Sequence, residues 1–232
     1  MLRVELVDHM GSDVTVVNAA RVSLDKHITD LREVDRKLLV FLATHKHFSP
    51  FRHVQFQFRI SAPEFIARQM FRHNVGIQAS SGEFQNQSDA WNEISQRYVT
   101  VRDVYVPEPA SWRKAPAEKR QGSSLTEQLI PETQHFCDAV YSKAIQTAIQ
   151  AYNDLLTAGV AKEMARMVLP MSVETKFYWT MSLQAVHHFV ALRKSPEAQL
   201  EIQKIAEQME AIVSKLVPES WKALSEIPPA PS

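Results

Sequence analysis

Apolar residues recur along the chain at two periods, and the period sets the expected element. Val4 to Val7 reads as a short strand, and Asp13 to Arg21 as a short helix with Val17 and Ala20 turned inward. Between Asp30 and Thr44, residues Leu31, Val34, Leu38, Leu39 and Leu42 fall at helical spacing. Val54 to Ile60 alternates strictly between apolar and polar residues, the mark of a half-buried strand. Ser61-Ala62-Pro63-Glu64 has the form of a capping box with proline in the first turn. It predicts a helix from there to about His73, carrying Phe65, Ile66 and Met70.

A long polar stretch, Asn74 to Asp89, reads as a loop, and loops of that length favour function or mobility over packing. Tyr98 to Val106 alternates and predicts a strand, while the proline-rich, charged segment Pro107 to Ser124 reads as a linker or surface loop. Beyond it the pattern turns helical. Phe136, Val140, Ala144, Ala148, Ala151 and Leu155 form one stripe that ends near Gly159. Ala161 to Leu169, Val173 to Leu192, and a segment capped by Ser195-Pro196 and reaching about Leu216 complete the series. The expected class is α+β, a mixed or antiparallel sheet with segregated helices.

Composition narrows the function classes. With 26 basic and 26 acidic residues there is no global electrostatic case for nucleic acid or membrane partners, so an anion site must be local. No apolar run is long enough to span a bilayer, and Glu5 and Asp8 interrupt any signal-peptide pattern. A single cysteine, Cys137, excludes an intrachain disulfide and fits a reducing cytoplasm. Five glycines, none spaced as GxG, leave neither a Rossmann fingerprint nor a P-loop. Any nucleotide cofactor must then be held by side chains and helix ends.

Candidate chemistry gathers around the polar loop. Arg72-His73 precedes it and Asn92-Glu93-Ile94-Ser95-Gln96-Arg97-Tyr98 follows, a mixture of guanidinium, imidazole, carboxylate, amide and hydroxyl that suits a nucleotide. Taken singly, each arginine reads as readily as surface charge or a helix C-terminal cation. Arg166, expected among Ala165, Val168 and Leu169, calls for a partner such as Glu163 or Glu174, or for an anionic ligand. His45, His47 and His53 have Lys46 and Arg52 as neighbours and lack a completing carboxylate or thiol, so no metal is expected. His187 and His188 point to different faces of a helix. Cys137 lies beside Asp138, poor company for a thiolate nucleophile.

Several motifs in order resemble the flavin-dependent thymidylate synthase family over nearly the whole chain. They are Ala19-Ala20-Arg21-Val22-Ser23, His45 to His53, Phe65 to His73, Asn92 to Tyr98, Arg166 to Pro170, Trp179-Thr180, Phe189 to Arg193, and Ala198-Gln199-Leu200-Glu201. The chain departs from the family where Asn74 replaces an arginine, Arg52 a glutamate and Ser182 an asparagine. Positions 75–94 stand where the family has seven residues, an insertion of 13 that falls around 75–91 of a single domain spanning 1–232.

The resemblance implies reductive methylation of dUMP at C5 to dTMP with 5,10-methylenetetrahydrofolate, tightly bound FAD and NADPH. It implies that Arg193 activates the pyrimidine and that Gln69, Arg72, Glu93, Ser95, Gln96, Arg97, Arg166 and Arg193 hold the substrate. For FAD it implies Ser23, Ser49, Arg72, His73, Asn74, Asn92, Glu93, Ser182 and His188, and for the assembly a homotetramer with active sites shared between subunits. Three other readings stay open at this point. They are C5 modification of another pyrimidine nucleotide such as UMP, a non-catalytic nucleotide- or flavin-binding homologue, and a helical interaction protein.

Overall fold

The computed structural model describes residues 2–73, 90–117 and 122–226. Asn74 and nearly all of the expected insertion lie outside the described residues.

Four antiparallel strands form one sheet in the order β1-β2-β4-β3. Strand β1 (Arg3–Met10) pairs with β2 (Gln55–Pro63) from Arg3 opposite Ser61 to Met10 opposite Gln55, with an irregularity between Leu6 and Asp8. On its other side β2 pairs with β4 (Glu174–Ser182), and β4 with the short β3 (Trp91–Glu93). The alternation in β2 behaves as its sequence predicts: Phe56, Phe58 and Ile60 are fully buried and Arg59 is exposed.

Helices α1 (Asp13–Arg21), α2 (Glu33–Thr44) and α3 (Glu64–Met70) fill the first half. In α2 the inward face is Leu39 and Leu42, whereas Val34 points outward. Strand β2 continues through Ser61 to Pro63, so α3 starts two residues later than the capping-box pattern suggests and ends at Met70. Cross-strand pairing with Glu174 to Lys176 wins over the local cap.

The second half holds α4 (Pro131–Thr157), the four-residue α5 (Lys162–Ala165), α6 (Leu183–Arg193), α7 (Leu200–Leu216) and α8 (Pro218–Ser225). The helix expected over Val173 to Leu192 is instead β4 followed by α6. Thr175, Phe177, Trp179 and Met181 are buried while Lys176 and Tyr178 are exposed, a period of two rich in β-branched and aromatic residues. The strand expected over Tyr98 to Val106 reduces to one isolated bridge, Val104 to Val173. The fourth helix begins at Leu200, not at Ser195-Pro196.

Trp112 clamps the described part of the linker-like segment to α4. Trp112 exchanges two hydrogen bonds with the Gln134 amide (2.9 and 2.8 Å), and its indole N–H donates to Asp138 (2.8 Å). The core lies where β2 and β4 meet α6, α7 and α8 through Trp179, Met181, Val186, Phe189, Ile205, Met209 and Leu224. Two buried carboxylates tie helix ends together: Asp35 pairs with Arg21 and accepts the Arg32 N–H, and Asp13 accepts the N–H groups of Glu219 and Ser220.

Candidate functional site

Three groups of side chains stand out, each placed by an element end. The first lies at the C-terminus of α6. Ser182 starts that helix, its buried hydroxyl accepting the Ala185 N–H at 3.2 Å, and Arg193 finishes it. The Arg193 Nε–H donates to His73 Nε2 at 2.8 Å. The His73 ring meets Phe189 edge-on at 5.0 Å and His188 at 6.5 Å.

Burial first, then the Arg193 charge, then His188, lower the His73 pKa from 6.5 to about 4. The ring is therefore neutral near pH 7, with its proton on Nδ1 and Nε2 free to accept. A guanidinium has five N–H groups, and among the described residues one is used here, which leaves the others for a ligand. Burial weakens the solvation of Arg193 and lowers its pKa, which strengthens its field at any bound group. Of the two neighbouring histidines, His188 faces this cluster and His187 packs against Trp221 at 5.4 Å.

The second group surrounds β3. Glu93 accepts hydrogen bonds from the Thr175 hydroxyl and the Trp91 indole (3.3 Å). The Gln96 amide donates to Glu64 at 2.9 Å. Burial, and next the charge of Glu93, raise the Glu64 pKa, while Arg68 and Arg166 oppose the rise. Arg97 lies 5.4 Å from the centre of the Tyr98 ring, and its backbone N–H donates to Ser95 Oγ at 3.3 Å. Asn92 sits exposed in β3 opposite Tyr178, and Arg72 is exposed beside His73. Arg166 is not surrounded by apolar groups as its sequence context suggests. Because α5 stops at Ala165, it falls on a 3-10 turn and is exposed, its Nε–H donating to the Glu163 carbonyl at 3.4 Å. Gln69 reaches in from α3 and donates to Gln199 at 2.7 Å.

The third group lines a cleft of about 500 Å³ between the end of α1 and the 3-10 turn at Ser49–His53. Ser23 and Ser49 sit there with Lys46, His47 and Arg52, and Ala19 and Ala20 keep the floor low. Two hydroxyls, two cations and small residues suit a diphosphate-bearing cofactor, and the volume is in the usual range for small-molecule sites, roughly 300–1,000 Å³. The Phe41 ring lies tilted against His45 at 4.1 Å and meets His47 edge-on at 6.1 Å.

Sequence reasoning passed over Glu64, Thr175 and Gln199. Glu64 looked like a capping residue, and Thr175 looked helical until its strand was recognised. Only Gln199 carried a signal, as part of the Ala198 to Glu201 motif.

Comparison with known proteins identifies the family. Residues 5–219 match the family described as thymidylate synthase complementing protein. The chain is 40% identical over 226 residues to the flavin-dependent thymidylate synthase of Thermus thermophilus, covering 96% of this chain and 75% of that protein. It is 37% identical to the one from Thermosipho melanesiensis, covering 94% and 88%. Among solved structures, the UMP/dUMP methylase PolB from Streptomyces cacaoi bound with 5-Br dUMP superposes with a TM-score of 0.82 at 31% identity, covering 98% of this chain and 96% of that one. The same methylase bound with 5-Br UMP gives 0.77 at 32% identity, covering 97% and 94%. The chain belongs to the thymidylate synthase complementing protein family, that of the flavin-dependent thymidylate synthases.

Proposed function

We propose that this chain is a flavin-dependent methylase that converts dUMP to dTMP, with 5,10-methylenetetrahydrofolate giving the carbon and NADPH the hydride. The observation that carries the reading is the Arg193–His73 pair, a half-buried guanidinium held by a neutral imidazole, with no other hydrogen bond from Arg193's side chain among the described residues. Set against the uracil N3 and a ring carbonyl, the guanidinium's N–H donors stabilise the negative charge that develops there. C5 then attacks the folate methylene and releases its hydrogen as a proton. No cysteine thiolate is needed, in keeping with the acidic neighbour of Cys137.

Arg97 and Arg166 supply charge for the phosphate, with Ser95 and Gln96 beside them. Glu93, an acceptor only, suits a sugar hydroxyl. Ser23, Ser49 and His188, with Arg72, His73, Asn74 and Asn92 after α3 and around β3, would hold FAD, which when bound passes hydride from NADPH to the transferred carbon. The Ser182 hydroxyl is committed to capping α6, so its part is to position that helix.

A second reading, turnover of UMP as well as dUMP, is supported by the likeness to a UMP/dUMP methylase. The test follows tritium release from C5-labelled dUMP and UMP with methylenetetrahydrofolate and NADPH, using protein that carries flavin. Release from dUMP is expected. A protein that takes up no flavin and releases no tritium would sink the methylase reading.

A further inference from the structure

A primary amide presents two donors on one side and an acceptor on the other, and the two faces are nearly isosteric, so a binding-site glutamine needs something to fix its direction. For Gln69 the direction is set through three residues outside the site. The start is Arg113, whose guanidinium is donor-only. Its Nη1 and Nη2 fork onto Glu201 Oε1 and Oε2 at 3.0 and 2.9 Å. Glu201 is only 7% exposed. Burial alone would raise its pKa, but the bonds from Arg113 outweigh that and hold it below the usual carboxylate range. Glu201 is therefore an ionised acceptor that has nothing to donate.

The Gln199 amide lies close enough to Glu201 to help hold that carboxyl down. Beside a carboxylate the NH2 group is the end that turns toward it, which leaves Oε1 facing the other way. There Oε1 accepts from Gln69 Nε2 at 2.7 Å, and the same nitrogen reaches the Phe65 carbonyl at 3.4 Å. Both Gln69 donors are spent, so its Oε1 alone is left for a ligand.

We propose that Arg113, Glu201 and Gln199 form a polarity relay that fixes Gln69 as an acceptor for a donor of the bound nucleotide, either the ring N3–H or the sugar 3′-hydroxyl. The relay rests on the nucleotide reading of the site. These three are positioning residues and touch no substrate themselves. An acceptor fixed in this way favours uracil, which carries an N3–H, over cytosine, which does not, if the ring is the group it reads.

The test is calorimetric titration of the flavin-loaded protein with dUMP, N3-methyl-dUMP and the 3′-deoxy analogue of dUMP, for wild type, Gln199→Met and Glu201→Gln. Gln199→Met cuts the relay but leaves the Arg113–Glu201 fork in place, so the result does not hang on whether Glu201→Gln folds. Gln199→Met is expected to weaken dUMP about tenfold, in line with one lost hydrogen bond. The analogue lacking the donor that Gln69 reads should bind wild type and variant within about twofold, and which analogue does so identifies the donor. Equal weakening of all three ligands, or unchanged dUMP affinity, overturns the relay alone. Wild-type protein that binds no dUMP overturns the nucleotide reading and the relay with it.

Discussion

Arg193 and His73 depend on each other at the level of single atoms. The guanidinium donates to His73, which can accept only while its Nε2 is unprotonated. Arg193→Ala is expected to lower C5 exchange by at least about a hundredfold, the usual scale for losing a charge-stabilising donor, with a melting temperature close to wild type. Acid should act on the same pair. An unfolded histidine takes up a proton near pH 6.5, whereas folded His73 resists until about pH 4. The folded state thus binds fewer protons in that window, and stability present above pH 6.5 is lost as pH falls through it. His187, half-buried against Trp221, is lowered to about 4 by burial first and then by His188, so it adds in the same direction. Denaturant midpoints should fall between pH 7.5 and pH 5, and less so in His187→Leu. In His73→Gln, which keeps an acceptor that does not titrate, the acid limb of kcat/KM for tritium release should flatten. An unchanged limb would move the titration to another group.

At the level of elements, the clearest dependence joins the start of the chain to its last helix. Asp13, buried in the first turn of α1, accepts the N–H groups of Glu219 (3.2 Å) and Ser220 (2.8 Å), which would otherwise stay unpaired at the N-terminus of α8. Asp13→Ala should cost about 2 kcal/mol in urea unfolding, the upper part of the range for a lost cap. A cost below about 0.5 kcal/mol, the scatter of ordinary surface changes, would mean that solvent replaces the carboxylate. No local pattern announces this contact, and α8 itself went unread because only Pro218 and Glu219 mark its start. Elements with one clean period, β2 and α1, were legible. The passage from β4 to α6 was not, since an apolar run from Val173 to Leu192 changes period at Ser182 without a glycine, proline or charge cluster to mark the change. The same misreading hid Thr175 from the site. The family motifs pointed to Arg193, His73, Glu93 and Gln96, but their hydrogen-bond partners come from distant elements and emerge only once β4 is in register.

For the whole molecule, the telling feature is how little of α4 is covered. At about 1.5 Å per residue, its 27 residues make a rod close to 40 Å long, yet only Gln134 and Tyr152 are buried. The inward line runs through Gln134, Tyr141 and Tyr152, while part of the expected stripe faces away: Phe136 is 66% exposed and Val140 52%. Ile130 is exposed just before α4, and Met164, Met167 and Met171 are exposed just beyond it. Large apolar side chains are costly to leave in water and, where they gather, commonly mark a seam between protein chains. The homotetramer implied by the family resemblance would cover it, and that assembly is our proposal for the intact enzyme. Light scattering on a sizing column should then give a mass several times that of the 26.4-kDa chain. Phe136→Glu combined with Val140→Glu should shift it towards a single chain without changing helix content, because neither residue belongs to the core. If the sites are shared between subunits, the same double variant should also lose bound flavin, although it alters no residue of the cleft or of the Arg193 cluster. Loss of assembly with full flavin retention would place the whole cofactor site within one chain, and an unchanged mass would place the seam elsewhere.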